Sequence, residues 1–260
     1  MSVYVSYSDE SDPGDGQGHF FIGGYVARET DWPGFSRRWV SEVLQPYPSI
    51  PYVHMVDLRS NRWREERGIC RTQAYDKLQT AADVISASTF LRPFVGRVNQ
   101  SEYRDACQTV ASKGYEFNRY ADAIDFPCYI TYAYIMLLDL EKDPNVEKVN
   151  FMASRKGHLS DLLQKVFKDS MQAVFEERDM LKHAAMVGDF IPLSMEDHMP
   201  LQAADVLSWH MRRYLCDAMK EDEDFKIAKK LDNGNIRHLH MPKEMLEDFC
   251  LNLREGDSDE

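Results

Sequence analysis

The sequence predicts a mixed α/β fold, one sheet that begins with an antiparallel hairpin and carries helices on its faces. The first observation behind this is order. Two strand-like runs joined by a polar, Gly- and Asp-rich turn come first, and helical and strand-like patterns then alternate. The second is composition: 260 residues, 43% of them hydrophobic and 12% aromatic, are enough for one large core and exclude disorder over most of the chain. The third is the absence of any internal repeat, which sets solenoids and propellers aside.

Each element follows from its local pattern. Val3-Tyr4-Val5-Ser6-Tyr7 reads as the first strand, residues 8–18 as the turn, and residues 19–27 as the second strand. Trp32-Pro33 opens a helix with Phe35, Trp39, Val40 and Val43 at helical spacing, closed by Pro46 and Pro48. Residues 53–58 read as a short third strand, 65–88 as a long helix and 90–98 as a strand. From 101 to 140 the pattern is helical, with Tyr129, Tyr132, Ala133, Met136, Leu137 and Leu140 on one stripe. Residues 146–153 predict a strand, 158–175 a helix and 184–193 a strand. Pro200 then opens a helix to about Met219, at the first-turn position that Pro favours. The domain organisation read from this is residues 1–219 as one domain with a helical insertion around 100–142, and 220–260 as an acidic C-terminal extension. That extension holds the run Glu221-Asp222-Glu223-Asp224 and the tail Glu255 to Glu260.

Charge and cysteines narrow the class. With 31 Lys and Arg against 43 Asp and Glu, the net charge of −12 argues against a nonspecific nucleic-acid coat, which binds by counterion release from basic residues. It leaves room for an enzyme whose acids surround a cation. Five scattered cysteines without CxxC spacing predict neither a disulfide framework nor a zinc site. The N-terminus lacks signal-peptide character, and the apolar stretch near 129–140 is too short to span a bilayer. The expectation is a cytoplasmic protein with no membrane partner.

Three carboxylates stand out. Period-two alternation puts Val3, Val5, Tyr7 and Asp9 on one strand face, so Asp9 ends an otherwise apolar row. In the expected third strand, Val53, Met55 and Asp57 share a face and His54 and Val56 take the other. On the helix after Pro200, Leu201, Ala204, Ser208, Met211 and Leu215 form the inward stripe, with Gln202 and Asp205 at its margin. Acids from three distant segments at core margins suit a hard divalent cation, Mg²⁺ or Mn²⁺. Each also has a plainer reading: Asp9 as a turn residue, Asp57 as a cap or strand end, and Asp205 as a first-turn acid facing the helix dipole.

Together these residues resemble the DUF3800 family. Tyr7-Ser8-Asp9-Glu10-Ser11 followed by Phe21-Ile22-Gly23-Gly24-Tyr25-Val26 is similar to its opening, His54-Met55-Val56-Asp57 to its next motif, and Pro200-Leu201-Gln202-Ala203-Ala204-Asp205 to its C-terminal helix. The resemblance spans about 4–214. It implies an RNase H-like mixed sheet and a metal-dependent, nuclease-type site. Asp9 would be the first-strand ligand, Asp205 the C-terminal-helix ligand, and Glu10 and Asp57 nearby acids. Either Asp57 or Glu10 would complete the metal shell; the leading expectation is Asp9, Asp57 and Asp205, with Gln202 as a positioning donor. One departure stands out: the strand near 149–154, which usually ends in an acid in such proteins, ends Ser154-Arg155-Lys156.

Phosphate contacts are expected from Arg59 and Arg62, in a stretch that also holds Arg64, Arg67 and Arg71, and from Lys156 beyond the 149–154 strand. The same arginines equally suit a helix surface laced with i,i+4 ion pairs. His54, facing away from Asp57 in a regular strand, reads as a supporting or core residue. The leading expectation is therefore a Mg²⁺- or Mn²⁺-dependent phosphodiesterase acting on DNA or RNA. The alternatives are an RNase H-like binding or scaffold protein with weakened chemistry, and a factor that binds a protein partner or a second copy through its acidic tracts.

Overall fold

A computed structural model describes residues 2–12, 18–112, 124–155, 157–216, 222–232 and 234–252. Six strands form one sheet: β1 (Ser2–Ser11), β2 (His19–Arg28), β3 (Arg92–Asn99), β4 (Val146–Ser154), β5 (Val187–Leu193) and β6 (Arg237–His240), in the order β5-β4-β1-β2-β3-β6. β1, β2 and β3 run antiparallel in succession, while β4 and β5 extend β1 in parallel and β6 adds in parallel to β3. With helices on both faces, this is the mixed sheet opened by an antiparallel hairpin that an RNase H-like fold requires. No helix among the described residues is long and apolar enough to cross a membrane.

Strand alternation sorts the side chains into two cores. On the first face Tyr4, Phe20, Ile22, Phe94 and Val98 pack against α5 (Gln100–Ser112), α6 (Asp125–Leu140) and α7 (Gly157–Glu176). On the second face Val5, Phe21, Tyr25 and Val95 pack against α1 (Trp32–Trp39), α4 (Arg71–Ala87) and α9 (Met199–Cys216). Two adjacent glycines of β2 serve opposite faces. A Cβ on Gly24 would lie 2.7 Å from the Tyr132 hydroxyl of α6, and one on Gly23 would lie 2.7 Å from Ser208 Oγ of α9. Each helix therefore sits closer to the sheet than any other residue would permit.

Several sequence-based boundaries shift for identifiable reasons. Residues 53–58 are not a strand. Val53 N–H donates to Gln202 Oε1 at 3.0 Å and Met55 N–H to Asp205 Oδ2 at 2.7 Å, so side chains of α9 take the amides that a neighbouring strand would have paired. The chain then turns into a short helix, α2 (Met55–Arg59), with Leu58 N–H on the His54 carbonyl. The long helix expected over 65–88 is two: α3 (Asn61–Glu66) stops at Gly68, which takes φ +63°, and Cys70 with Gln73 caps α4. The region 101–140 holds the separate helices α5 and α6. Residues 184–186, expected as the start of a strand, instead end α8 (Leu181–Met186) ahead of β5.

Of the stretch read as an acidic extension, residues 222–232 and 234–252 belong to the fold. α10 (Glu223–Asp232) buries Ile227, Ala228 and Leu231 in the second core, β6 is the outer strand beside β3, and α11 (Lys243–Asn252) buries Leu246 in the first. Glu221 and the tail 253–260 lie outside the described residues.

Candidate functional site

Asp9 and Asp205 meet because α9 is pinned to the sheet one turn beyond Asp205. Ser208 Oγ lies 2.7 Å from the Asp9 carbonyl, 3.1 Å from that of Gly23 and 2.9 Å from that of Ala204, and donates its single proton among them. Asp205, three residues earlier on the same side of the helix, stands over Asp9, and their side chains hydrogen-bond. Asp9 is 4% exposed and Asp205 5%, so both carboxyls sit where charge is poorly solvated. Burial pushes the Asp205 carboxyl up to about 6. Nearby His54 and the Met55 amide pull it down, Glu10 pushes it up, and the bond with Asp9 lowers it.

Asp57 does not join this pair. Its Oδ2 accepts from the Tyr52 hydroxyl at 2.8 Å and lies 3.2 Å from His54 Nδ1. The expected third metal ligand is instead the carboxylate that orients an imidazole next to Asp205, because 53–58 form a cap and helix in which positions i and i+3 face each other. The strand reading had placed His54 and Asp57 on opposite faces, which hid their contact. Burial first, then the bond to Asp57, raises the Tyr52 phenol above its ordinary value.

Gln202 is fully buried. Its Oε1 accepts from Trp39 Nε1 at 2.9 Å and from the Val53 amide, and its Nε2 donates to the Met195 carbonyl at 3.1 Å. It ties three segments together, with both its amide oxygen and its amide nitrogen engaged within the protein. Glu10 alternates to the opposite face of β1, where it and Asp9, after burial itself, raise the Tyr129 phenol. Ser154 stands where the sequence placed it: Ser8 is opposite Ala153, so Ser154 runs alongside Asp9 and no acid reaches the pair from β4.

The expected phosphate contacts divide. Arg59 ion-pairs with Asp224 of α10, as does Arg213 at 2.7 Å. Their guanidinium carbons lie 4.6 and 4.7 Å from the centre of the Trp209 ring. Arg59 is thus engaged in docking α10 onto α2 and α9, while Arg62 is on the surface, paired with Glu66 at 3.0 Å. Arg64 is buried on the Leu58 carbonyl, and Arg67 stacks on Trp63. Lys156 lies outside the described residues.

Among the described residues no group of three His, Cys, Asp or Glu side chains is arranged to hold a metal ion. Two buried, hydrogen-bonded carboxyls nevertheless match how Mg²⁺ is commonly held, by one or two carboxylates with waters and substrate phosphate completing the shell. Asp9 and Asp205 fit such an ion, and Asp57, engaged with Tyr52 and His54, does not.

No family model matches the chain, and no curated protein does. Among solved structures it is similar to a chain of the PCNA:RNase HII complex from Archaeoglobus fulgidus, at 14% sequence identity and a TM-score of 0.36, over 98% of this chain and 91% of that one. A likeness this distant says nothing about the site.

Proposed function

We propose that this chain is a Mg²⁺- or Mn²⁺-dependent phosphodiesterase acting on nucleic acid, with Asp9 and Asp205 as the metal-binding residues. The observation that carries the reading is the buried Asp9–Asp205 pair, held together by Ser208 and aimed by the Met55 amide. Nothing in the packing of two apolar faces calls for two carboxyls there, and burying them unpaired with a cation is unfavourable. The resemblance of the surrounding motifs to the DUF3800 family supports the same chemistry.

A divalent ion at this position would polarise a phosphoryl oxygen and make hydroxide available near neutral pH. The chain's own groups do the rest. The Met55 N–H fixes Asp205 Oδ2, so the orientation of that carboxyl is set before anything binds. Asp57, itself held by the Tyr52 hydroxyl, fixes the His54 ring through Nδ1 in the neighbourhood of Asp205. Gln202 holds the 53–55 segment against α9.

A second reading, binding without cleavage, is favoured by Ser154, which leaves the pair one carboxylate short. One experiment separates the two. Purified chain is incubated with labelled single- and double-stranded DNA and RNA at millimolar Mg²⁺ or Mn²⁺, and Mn²⁺ binding is followed by calorimetry. Cleavage that Asp9→Asn and Asp205→Asn each abolish supports the enzyme. Saturable Mn²⁺ heat without cleavage of any substrate supports the binding protein. Full cleavage by both variants overturns the assignment of the pair.

A further inference from the structure

One row beyond Asp9, the same face of the sheet changes character. Ser11 of β1 is opposite Phe21 of β2, Phe21 is opposite Arg97 of β3, and Arg97 is opposite His240 of β6. Directly paired residues of neighbouring strands share a face. Val95 lies in the second core and Gly96 faces α6, so Arg97 points to the side of α9 and of the acid pair. His19 joins the row: its ring lies 6.3 Å from that of Phe21 and 5.5 Å from that of His240. From above, Arg212 of α9, nearly two turns beyond Asp205, donates from Nε to Ser11 Oγ at 3.0 Å.

Among the described residues neither arginine of this strip is paired with an acid. Among the described residues the Arg97 side chain has no hydrogen bond or ion pair, and its Nε is buried without a partner. Arg212 has the Ser11 hydroxyl and no acid. The acids near the strip are Glu102, 3.6 Å from His240 Nε2, and Asp12, which accepts from Gln100 at 2.9 Å. The imidazoles register Arg97. His19 and His240 are each held below their ordinary value, first by burial and next by the charge of Arg97, with Glu102 pulling the other way. A buried donor with no partner and an arginine without a counter-ion are the features of a site that an anion completes.

We infer that Arg97 and Arg212, with His19 and His240 beside them, form a phosphate-binding subsite for the nucleic-acid strand whose reacting phosphodiester lies at Asp9 and Asp205. The inference rests on the function proposed above. Arg97 is two strands across and two residues along from Asp9, so with strands ~4.8 Å apart and a rise of ~3.4 Å per residue their Cα atoms are about 12 Å apart. That is a span of a few nucleotides. Contacts of this kind set register and carry no sequence information. They would also let a chain of net charge −12 engage a polyanion locally, because Arg97 and Arg212 stand on one face without an acid partner.

The test is fluorescence anisotropy of a labelled single-stranded oligonucleotide with the full chain, without divalent metal, at salt from 50 to 200 mM. Arg97→Gln and Arg212→Gln should each weaken binding about 3- to 10-fold and lower the slope of log K against log salt by about 0.7. Arg97→Lys, which keeps the charge, should recover most of the loss. Unchanged affinity and slope in variants whose melting temperature matches the parent, or no oligonucleotide binding by the parent, overturns the subsite. Inorganic phosphate that binds in an Arg97-dependent way but is not displaced by the oligonucleotide also overturns it, since the ligand is then free phosphate. A small aryl phosphodiester, which reaches only the acid pair, separates this outcome from failure of the proposed function. Its metal-dependent hydrolysis should be unaffected by Arg97→Gln. Hydrolysis with no Arg97 effect on the oligonucleotide leaves the enzyme standing without the subsite. Arg97-dependent oligonucleotide binding with no hydrolysis of either substrate leaves the subsite standing without the enzyme.

Discussion

Asp205→Asn should stabilise the protein at neutral pH and remove its response to metal. Asp205 is 5% exposed, and its folded-state pKa of about 6 stands above an ordinary value of 3.8. A raised acid favours the folded state only while protonated, so its contribution is fully present below about pH 4 and is lost as pH rises to about 6. A difference of roughly two units at 1.36 kcal/mol each makes the ionised carboxyl cost about 3 kcal/mol above pH 6. Asn keeps an oxygen for the Met55 amide and offers Asp9 an N–H, so it should recover about 2 kcal/mol of this. For a chain of this size that corresponds to a rise in Tm of roughly 4–8 °C at pH 7.5, shrinking to nothing near pH 4. Thermal melts at half-unit pH intervals, with and without Mn²⁺, measure both terms. The parent should gain Tm from Mn²⁺ at pH 7.5 and little at pH 4.5, where a proton occupies the pair; Asp205→Asn should gain at neither. A variant no more stable than the parent at pH 7.5, or a difference that does not vary with pH, would refute the buried-charge account.

Two further outcomes follow from named contacts. Asp57→Asn should leave the Mn²⁺-induced rise in Tm intact and lower cleavage about 10- to 100-fold, the scale of losing a residue that orients a neighbour of the metal site; loss of the Tm rise would restore Asp57 to the metal shell. Gly23→Ala places a methyl 2.7 Å from Ser208 Oγ and 3.2 Å from its Cα, and should cost about 1–3 kcal/mol in urea denaturation by lifting α9 and parting Asp205 from Asp9. Ser208→Ala in the same chain should recover part of that loss, a coupling that a double-mutant cycle reads directly.

Much of the sheet was legible because strands and helices announce themselves by period. The row Val3, Val5, Tyr7 and Asp9 did place Asp9 on the α9 side, and the stripe through Leu201, Ala204 and Ser208 did face the sheet. Local punctuation was harder to weigh. Gly68 sits inside a helical pattern, yet its positive φ ends α3. Residues 53–58 show the deeper difficulty. Their apolar alternation is what a strand shows, yet their amides are taken by Gln202 and Asp205, about 150 residues further along the chain.

The sequence by itself determined the class of fold, the presence of acids at the ends of apolar rows, and the serine beside Asp9 in place of an acid. It did so because burial patterns of period 2 and 3.6 are local properties of the chain. Which acids meet, which arginines remain without a counter-ion and where Asp57 turns were decided only by the tertiary structure. Charge interactions depend on distance and burial, and those come from helix packing against the sheet. Close approach at Gly23 brings Asp205 to Asp9, Asp224 draws Arg59 aside, and strand register leaves Arg97 and Arg212 in line with the pair.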